Sequence, residues 1–242
     1  MGKRAERRHQ DGAVLLLLLL VLSLGAASML ISAMGRTQLD GVRMQRSALT
    51  LAQANDALLG FAAVNGRLPR PAVSALDGHE RRVACNSEAA CTGFLPWVTL
   101  GVSGSDAWGK LLRYSVTPEY TLVPDDPANL YGSKTVQGRD GDGDGELFPL
   151  AGRGGCGLGR CAAVVLWSNG RNNLGTSVAG VPLANGSDTN ADEVANDGAT
   201  DNFIKRPASD DATQGGGEYD QLITWIGRDV LLARLSASRR TP

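Results

Sequence analysis

The chain has 242 residues, with 24 Lys and Arg against 25 Asp and Glu, and a formal net charge of −1 at pH 7. Because no basic patch stands out beyond the first dozen residues, this balance argues against a nucleic acid as a partner. Aromatic residues are scarce at 5%, but the roughly 208 residues beyond position 34 are enough for one domain with a core.

An uncharged apolar run occupies residues 13–34, AVLLLLLLVLSLGAASMLISAM. As a helix it would extend roughly 33 Å, slightly more than a hydrocarbon core of about 30 Å. The excess of Lys and Arg over acidic residues in residues 1–12 favours a cytoplasmic N-terminus. The pattern predicts a single membrane-spanning helix with the remaining chain outside the cytoplasm. A secretory signal peptide, cut among the small residues 25–28, is the alternative, although the apolar run continues beyond them.

Residues 35–66 are predicted to continue the same helix, because no proline interrupts them and apolar residues recur on one face. That face consists of Leu51, Ala54, Leu58, Phe61 and Ala62. Gly66 suits the left-handed position that follows a helix, and the prolines after it prevent continuation. The predicted helix therefore ends close to Asn65.

From residue 72, short apolar runs alternate with Gly, Asp, Asn and Pro, which predicts strands and loops. The predicted strands are residues 94–102, 111–116, 120–123, 135–138, 146–150, 162–168 and 221–226. Residues 169–217 are almost all small and polar and predict a long loop that is functional, ordered by a metal ion or mobile. A short helix is predicted over 229–237. The whole pattern predicts an α+β fold, with a long N-terminal helix packed on a small antiparallel sheet.

The cysteines form two close pairs in the sequence, Cys85 with Cys91 and Cys156 with Cys161. In an oxidising compartment we expect two short-loop disulfides. Zinc binding is the alternative, but the C-x5-C and C-x4-C spacings lack the tight knuckle of structural zinc sites.

Alternating acidic residues in the segment DGDGDGE, namely Asp140, Asp142 and Asp144, are typical of the oxygen ligands of a calcium loop. An EF-hand is excluded because the twelfth position counted from Asp140 is Ala151 rather than glutamate. The interpretation that we favour is a glycine-rich hairpin tip that joins strands 135–138 and 146–150, with solvated carboxylates.

Catalytic residues are not evident in the sequence. The two histidines are His9, near the N-terminus, and His79, in a polar loop beside Asp77 and Glu80. Ser/His/Asp or Cys/His chemistry would require His79 to find its partners through folding alone. The segment GSDAWGK, which ends at Lys110, fits the start of a phosphate-binding loop, but Leu111 replaces the hydroxyl residue that would hold magnesium. We expect that the protein is not an enzyme.

A basic leader that ends in glycine, followed by an apolar helix that continues as an amphipathic one, resembles the N-terminus of type IV prepilins and type II secretion pseudopilins. Four further segments resemble parts of pseudopilins: ALLGFAAVNGRLPRP (57–71), DAWGKLLRY (106–114), VVLWSNGRNNLG (164–175) and EYDQLITWIGRDVLLARL (218–235). The resemblance implies a pilin-like fold with a cytoplasmic leader (1–12), a transmembrane helix (13–34), its amphipathic continuation (35–66) and a head (67–242).

The resemblance implies that a prepilin peptidase cuts after Gly12 and that Ala13 becomes the first mature residue, open to methylation. It places the chain in a bacterial inner membrane with a periplasmic head, and gives other pilin or pseudopilin subunits as partners. Ala13 replaces the usual Phe, and Leu17 replaces a glutamate that neutralises the N-terminal amine of a neighbour in the filament core. The tip pseudopilin tolerates the lack of this glutamate, so the resemblance implies a minor or tip subunit. The alternative is a tethered or secreted binding module that does not assemble.

Major pseudopilins bind calcium in the loop after their "LWS" strand, and ADEVANDGATDNF (191–203) resembles the acidic part of that loop. The resemblance therefore implies calcium, with Asp192, Asp197 and Asp201 as ligands. Clustered carboxylates repel one another without a counter-cation, which agrees with this interpretation. A mobile, solvated loop is the alternative.

Overall fold

The structure is a computed structural model that describes residues 6–140, 145–198 and 200–238. Within these ranges the side chains of residues 6–13, 27, 30–37, 127, 158 and 237–238 lie outside the description. The chain divides into two compact units, Met1–Arg43 and Met44–Pro242.

Helix α1 comprises Glu6–Asn65. The predicted helix is confirmed at its C-terminal end, where Gly66 has a φ of +69° and donates its N–H to the carbonyl of Ala62 over 2.9 Å. Such a φ strains any residue with a Cβ, so glycine ends the helix here at low conformational cost.

The N-terminal part of α1 carries a run of exposed Leu and Val side chains, from Val14 at 62% exposure to Leu24 at 63%. Among the residues that the structure describes, no helix contains a stretch long and apolar enough to cross a membrane. The predicted span 13–34 also includes positions 13, 27 and 30–34, whose side chains lie outside the described residues.

The second unit contains the strands β1 (Thr92–Phe94), β2 (Arg113–Val116), β3 (Thr135–Arg139), β4 (Leu147–Ala151), β5 (Ala162–Ser168), β6 (Asn202–Ile204) and β7 (Leu222–Gly227). Its helices are the C-terminal part of α1, α2 (Trp97–Leu100), α3 (Ala191–Asp197) and α4 (Arg228–Ser238). The first sheet has the strand order β1-β2-β5-β7 and is antiparallel throughout. The second sheet has the order β4-β3-β6, and its β3–β6 pair is parallel. The fold is therefore α+β, as predicted. The prediction of a single antiparallel sheet did not include the second, mixed sheet.

Helix α1 packs on the core of this unit with the apolar face that its sequence predicts. Four of the five predicted residues are buried: Leu51, Ala54, Leu58 and Ala62. Phe61 is only half-buried, and its ring lies 5.4 Å from the guanidinium carbon of Arg67. The buried four join one core with side chains of β2, β5, β7 and α4. This packing stabilises α1 more than its intrinsic helix propensity does.

Two predicted strands are wrong because proline starts a helical turn in each. Strand β1 ends at Phe94, and the predicted strand 94–102 is replaced after Pro96 by helix α2, which ends at Leu100 and is capped by Gly101 with a φ of +67°. The predicted strand 120–123 is replaced by a 3₁₀ helix, Pro118–Thr121. The fixed φ of proline suits the first turn of a helix, and this outweighs the apolar pattern of such short segments.

Both predicted disulfides are confirmed: Cys85 is bonded to Cys91, and Cys156 to Cys161. No cysteine of the described chain remains free, so no thiol is left for zinc. The predicted hairpin is also confirmed as the antiparallel pair β3–β4, with the N–H of Asp140 donating to the carbonyl of Glu146 over 3.1 Å. Asp142 and Asp144, at its tip, lie outside the described residues.

Candidate functional site

Two segments about sixty residues apart in the sequence contact each other in the fold through Asp106 and Ser168. Asp106, before β2, is buried and accepts hydrogen bonds at Oδ1 from the N–H groups of Trp108 and Lys110, each over 2.9 Å. Its Oδ2 accepts the hydroxyl of Ser168, at the end of β5, over 2.6 Å. One carboxylate therefore shapes the turn 106–110 and joins it to the start of the loop that follows β5.

The side chain of Lys110 enters that loop and is enclosed by it, with 3% of the residue exposed. Its Nζ donates to the main-chain carbonyls of Asn169, Asn172 and Asn173, over 3.3, 2.7 and 2.9 Å. An ammonium group has three N–H donors and no acceptor, so the three carbonyls engage all of them. Burial lowers the pKa of Lys110, and the carboxylates around it, Asp220 first, oppose that shift. The geometry thus fits a charged ammonium in a cage of carbonyl oxygens.

Two carboxyl groups lie side by side next to this cage. Asp220 accepts the N–H of Asn172 at Oδ2 over 2.7 Å. Glu193, on α3, accepts the N–H of Asp220 at Oε1 over 2.6 Å and the amide of Asn190 at Oε2 over 2.9 Å. Burial raises the pKa of both carboxyl groups. Because two adjacent buried carboxylates repel each other, the protonation of one affects the protonation of the other, and the two titrate as a pair.

Asp192, on the same short helix, is buried between two arginines. Its Oδ1 lies 2.6 Å from Nη2 of Arg139, and its Oδ2 lies 2.9 Å from Nε of Arg206. The hydrogen bond to Asp192 raises the pKa of Arg139. Gly216, with a φ of +82°, allows this approach, because a Cβ at that position would lie 2.0 Å from Oδ2 of Asp192. The counter-charge of this carboxylate is therefore supplied by guanidinium groups.

The other two predicted calcium ligands have different partners. Oδ1 of Asp197 lies 3.6 Å from Nε of Arg113 and accepts the amide of Asn169 over 3.3 Å. The carboxylate of Asp201 accepts the amide of Asn202 over 2.6 Å. Within the described ranges, no group of three or more His, Cys, Asp or Glu residues could hold a metal ion. Calcium binding stays a prediction, and the structure does not bring Asp192, Asp197 and Asp201 together as one ligand set.

The loop 169–217 is more ordered than its composition predicts. It contains α3 and β6, and the buried face of α3 is polar, consisting of Asp192, Glu193 and Asn196. From the sequence, Lys110 fits only the lysine of a phosphate-binding loop, and the pattern around Arg139 and Arg206 predicts no role for either. The sequence shows only that Arg139 precedes the acidic segment 140–146 and that Arg206 follows the acidic segment 191–203. Pairing between such distant residues depends on the fold.

The predicted processing residues Gly12 and Ala13 lie within the backbone range of α1. The side chain of Ala13 lies outside the described residues, so cleavage between these two positions stays a prediction. No protein-family model, curated protein or solved structure matches this chain.

Proposed function

We propose that the chain is a structural subunit of a type II secretion pseudopilus or a type IV pilus, of the minor or tip type, and that it assembles through its N-terminal helix. The observation that carries the proposal is the order of segments at the N-terminus. A basic leader ends at Gly12, the uncharged run 13–34 follows at once, and α1 continues to Asn65 without a break.

The second unit supports this proposal in two ways. Helix α1 buries its apolar face on an α+β core, which is the arrangement that the pilin resemblance implies. The two disulfides fit an oxidising compartment outside the cytoplasm. We infer that residues 13–34 lie in a bacterial inner membrane, with the N-terminus in the cytoplasm and the head in the periplasm.

Association between subunits would rest on packing of the apolar helix. Leucine and valine side chains of the described part are exposed in the single chain and are available to neighbouring helices. Small residues later in the run allow close approach of helix backbones: Gly25, Ala26, Ala27, Ser28 and Ser32. Leu17 leaves no carboxylate for a neighbour's N-terminal amine, which favours a first or terminal position in a filament over a repeated internal one.

N-terminal sequencing of the protein from membranes that contain a prepilin peptidase tests the proposal. The expected N-terminus is Ala13. The variant Gly12→Leu should keep its leader, because the peptidase requires a residue without a side chain before the cut. Gly2→Leu, a matched change inside the leader, should be processed normally. An uncut Met1, or an N-terminus close to Met29, would instead support the alternative of a tethered or secreted binding module.

A further inference from the structure

The long polar segment after β5 encloses a positively charged group of the same chain, the ammonium of Lys110. The carbonyls of Asn169, Asn172 and Asn173 converge on one point, which Nζ of Lys110 occupies. Convergent main-chain oxygens are typical of a cation site, because each carbonyl presents the negative end of its dipole. A lysine placed there by the turn 106–110 has the charge, and the number of donors, that this cage requires.

Each acidic side chain nearby also has at least one hydrogen-bond or ion-pair partner in the same chain. Asp106 is bonded to Ser168 and to main-chain N–H groups, and Asp192 is paired with two arginines. Glu193 and Oδ2 of Asp220 accept hydrogen bonds from main-chain N–H groups and an asparagine amide, whereas Oδ1 of Asp220 has no hydrogen-bond partner among the described residues. A divalent ion would have to displace Lys110 to reach the three carbonyls, and like charges at that distance exclude each other.

We propose that Lys110 is the internal cation that orders the loop after β5, and that it takes the place of a metal ion in this head. The calcium implied by the family resemblance is then unnecessary, since Lys110 organises the carbonyls and the arginines neutralise Asp192. This inference concerns the head alone. It holds whether or not the chain assembles into a filament.

The first test uses the wild-type protein, purified in detergent, and requires no variant. Its melting temperature is measured with millimolar calcium chloride and with a chelator. The two values should agree, and a melting temperature raised by calcium would overturn the proposal. A second measurement labels lysine with ¹⁵N. An ammonium group with three enclosed hydrogen bonds exchanges its protons slowly, so one lysine should give a persistent ammonium signal at neutral pH, and Lys110→Arg should remove it.

Variants of Lys110 test its role in ordering the loop. Lys110→Met keeps an unbranched side chain that is one heavy atom shorter and removes the donors, which leaves three carbonyls and the adjacent carboxylates without a cation. Its melting temperature should fall by roughly 5–10 °C. Limited proteolysis should cut it faster within residues 169–190 than elsewhere. If Lys110→Met is too unstable to purify, the calcium comparison and the ammonium signal still decide the question.

A matched control is Lys205→Met, which removes an exposed ammonium that lies over the ring of Trp225 at 5.1 Å. This change should leave the melting temperature within about 2 °C of the wild type, because exposed charges contribute little. Equal stability and equal protease resistance of Lys110→Met and the wild type would overturn the role of Lys110.

Discussion

Arg206 and Asp192 form a buried ion pair, with Nε of the guanidinium 2.9 Å from Oδ2 of the carboxylate and side-chain exposures of 4% and 2%. The pair lies between α3 and the segment after β6, two elements within one polar loop. Enclosed charges of this kind are stable only together, since removing one leaves the other without compensation. We therefore expect the pair to fix the conformation of the loop. Its net contribution to the stability of the fold is the smaller effect.

We predict that Asp192→Ala lowers the free energy of unfolding by about 3–5 kcal/mol, because it leaves the guanidinium of Arg206 buried and unpaired. Urea unfolding followed by circular dichroism measures the change. Asp188→Ala is the control, at an exposed position of the same loop, and should shift stability by no more than about 0.5 kcal/mol. Similar losses in the two variants would mean that the pair does not order the loop.

The sequence predicted those elements that depend on local pattern. The end of α1 followed from an apolar face and from Gly66, and β5 was predicted with its observed bounds because seven apolar or small residues stand between turn residues. Strand β3 and the hairpin after it followed from the same reasoning. In each case the deciding residues are neighbours in the chain.

Helix α3 was not predicted because its buried face consists of polar residues. Glu193 and Asn196 are buried through contacts with Asp220 and Gln221, more than twenty residues further along the chain. Hydrophobic periodicity carries no information about such a helix. The same limit applies to Lys110, whose three acceptors lie about sixty residues away in the sequence.

Stability should depend on pH through Glu193, because burial raises the pKa of its carboxyl group above the usual value of 4.5. The folded protein then keeps a proton that the unfolded chain has released, so the stabilisation is complete below pH 4.5. It is lost as the pH rises through the raised pKa. We predict that Glu193→Gln shows a smaller loss of stability than the wild type as the pH is raised above 4.5.

Glu80 provides a comparison of opposite sign. Burial raises the pKa of Glu80, but hydrogen bonds from Arg67 and from the N–H of Arg70 outweigh it, and the pKa is lowered from 4.5. Its stabilisation is present above pH 4.5 and is lost as the pH falls through the lowered pKa. Glu80→Gln should therefore flatten the acid side of the stability curve. Identical pH profiles for the two variants would contradict both assignments.

The disulfide between Cys156 and Cys161 closes a loop with a sequence separation of 5 between β4 and β5. A loop this short restricts the unfolded chain only moderately, so the double variant Cys156→Ala, Cys161→Ala should lose about 2 kcal/mol. Denaturant unfolding with and without a reductant measures the loss. The reductant should destabilise the wild type and leave the midpoint of a variant that lacks all four cysteines unchanged; a wild type indifferent to the reductant would contradict the prediction.

The packing of α1 on the head can be tested with two leucines on opposite sides of the helix. Leu58 is fully buried and Leu49 is 58% exposed, and at 3.6 residues per turn the two positions point in opposite directions. Leu58→Ala should lower the free energy of unfolding by about 2–5 kcal/mol, since it removes buried apolar contacts and leaves a cavity. Leu49→Ala should change it by less than about 0.5 kcal/mol. If Leu49→Ala proved as destabilising as Leu58→Ala in the isolated chain, the face that α1 buries on the head would be assigned wrongly. A loss confined to Leu58→Ala would confirm that the Leu49 side of the helix lies outside the packed face.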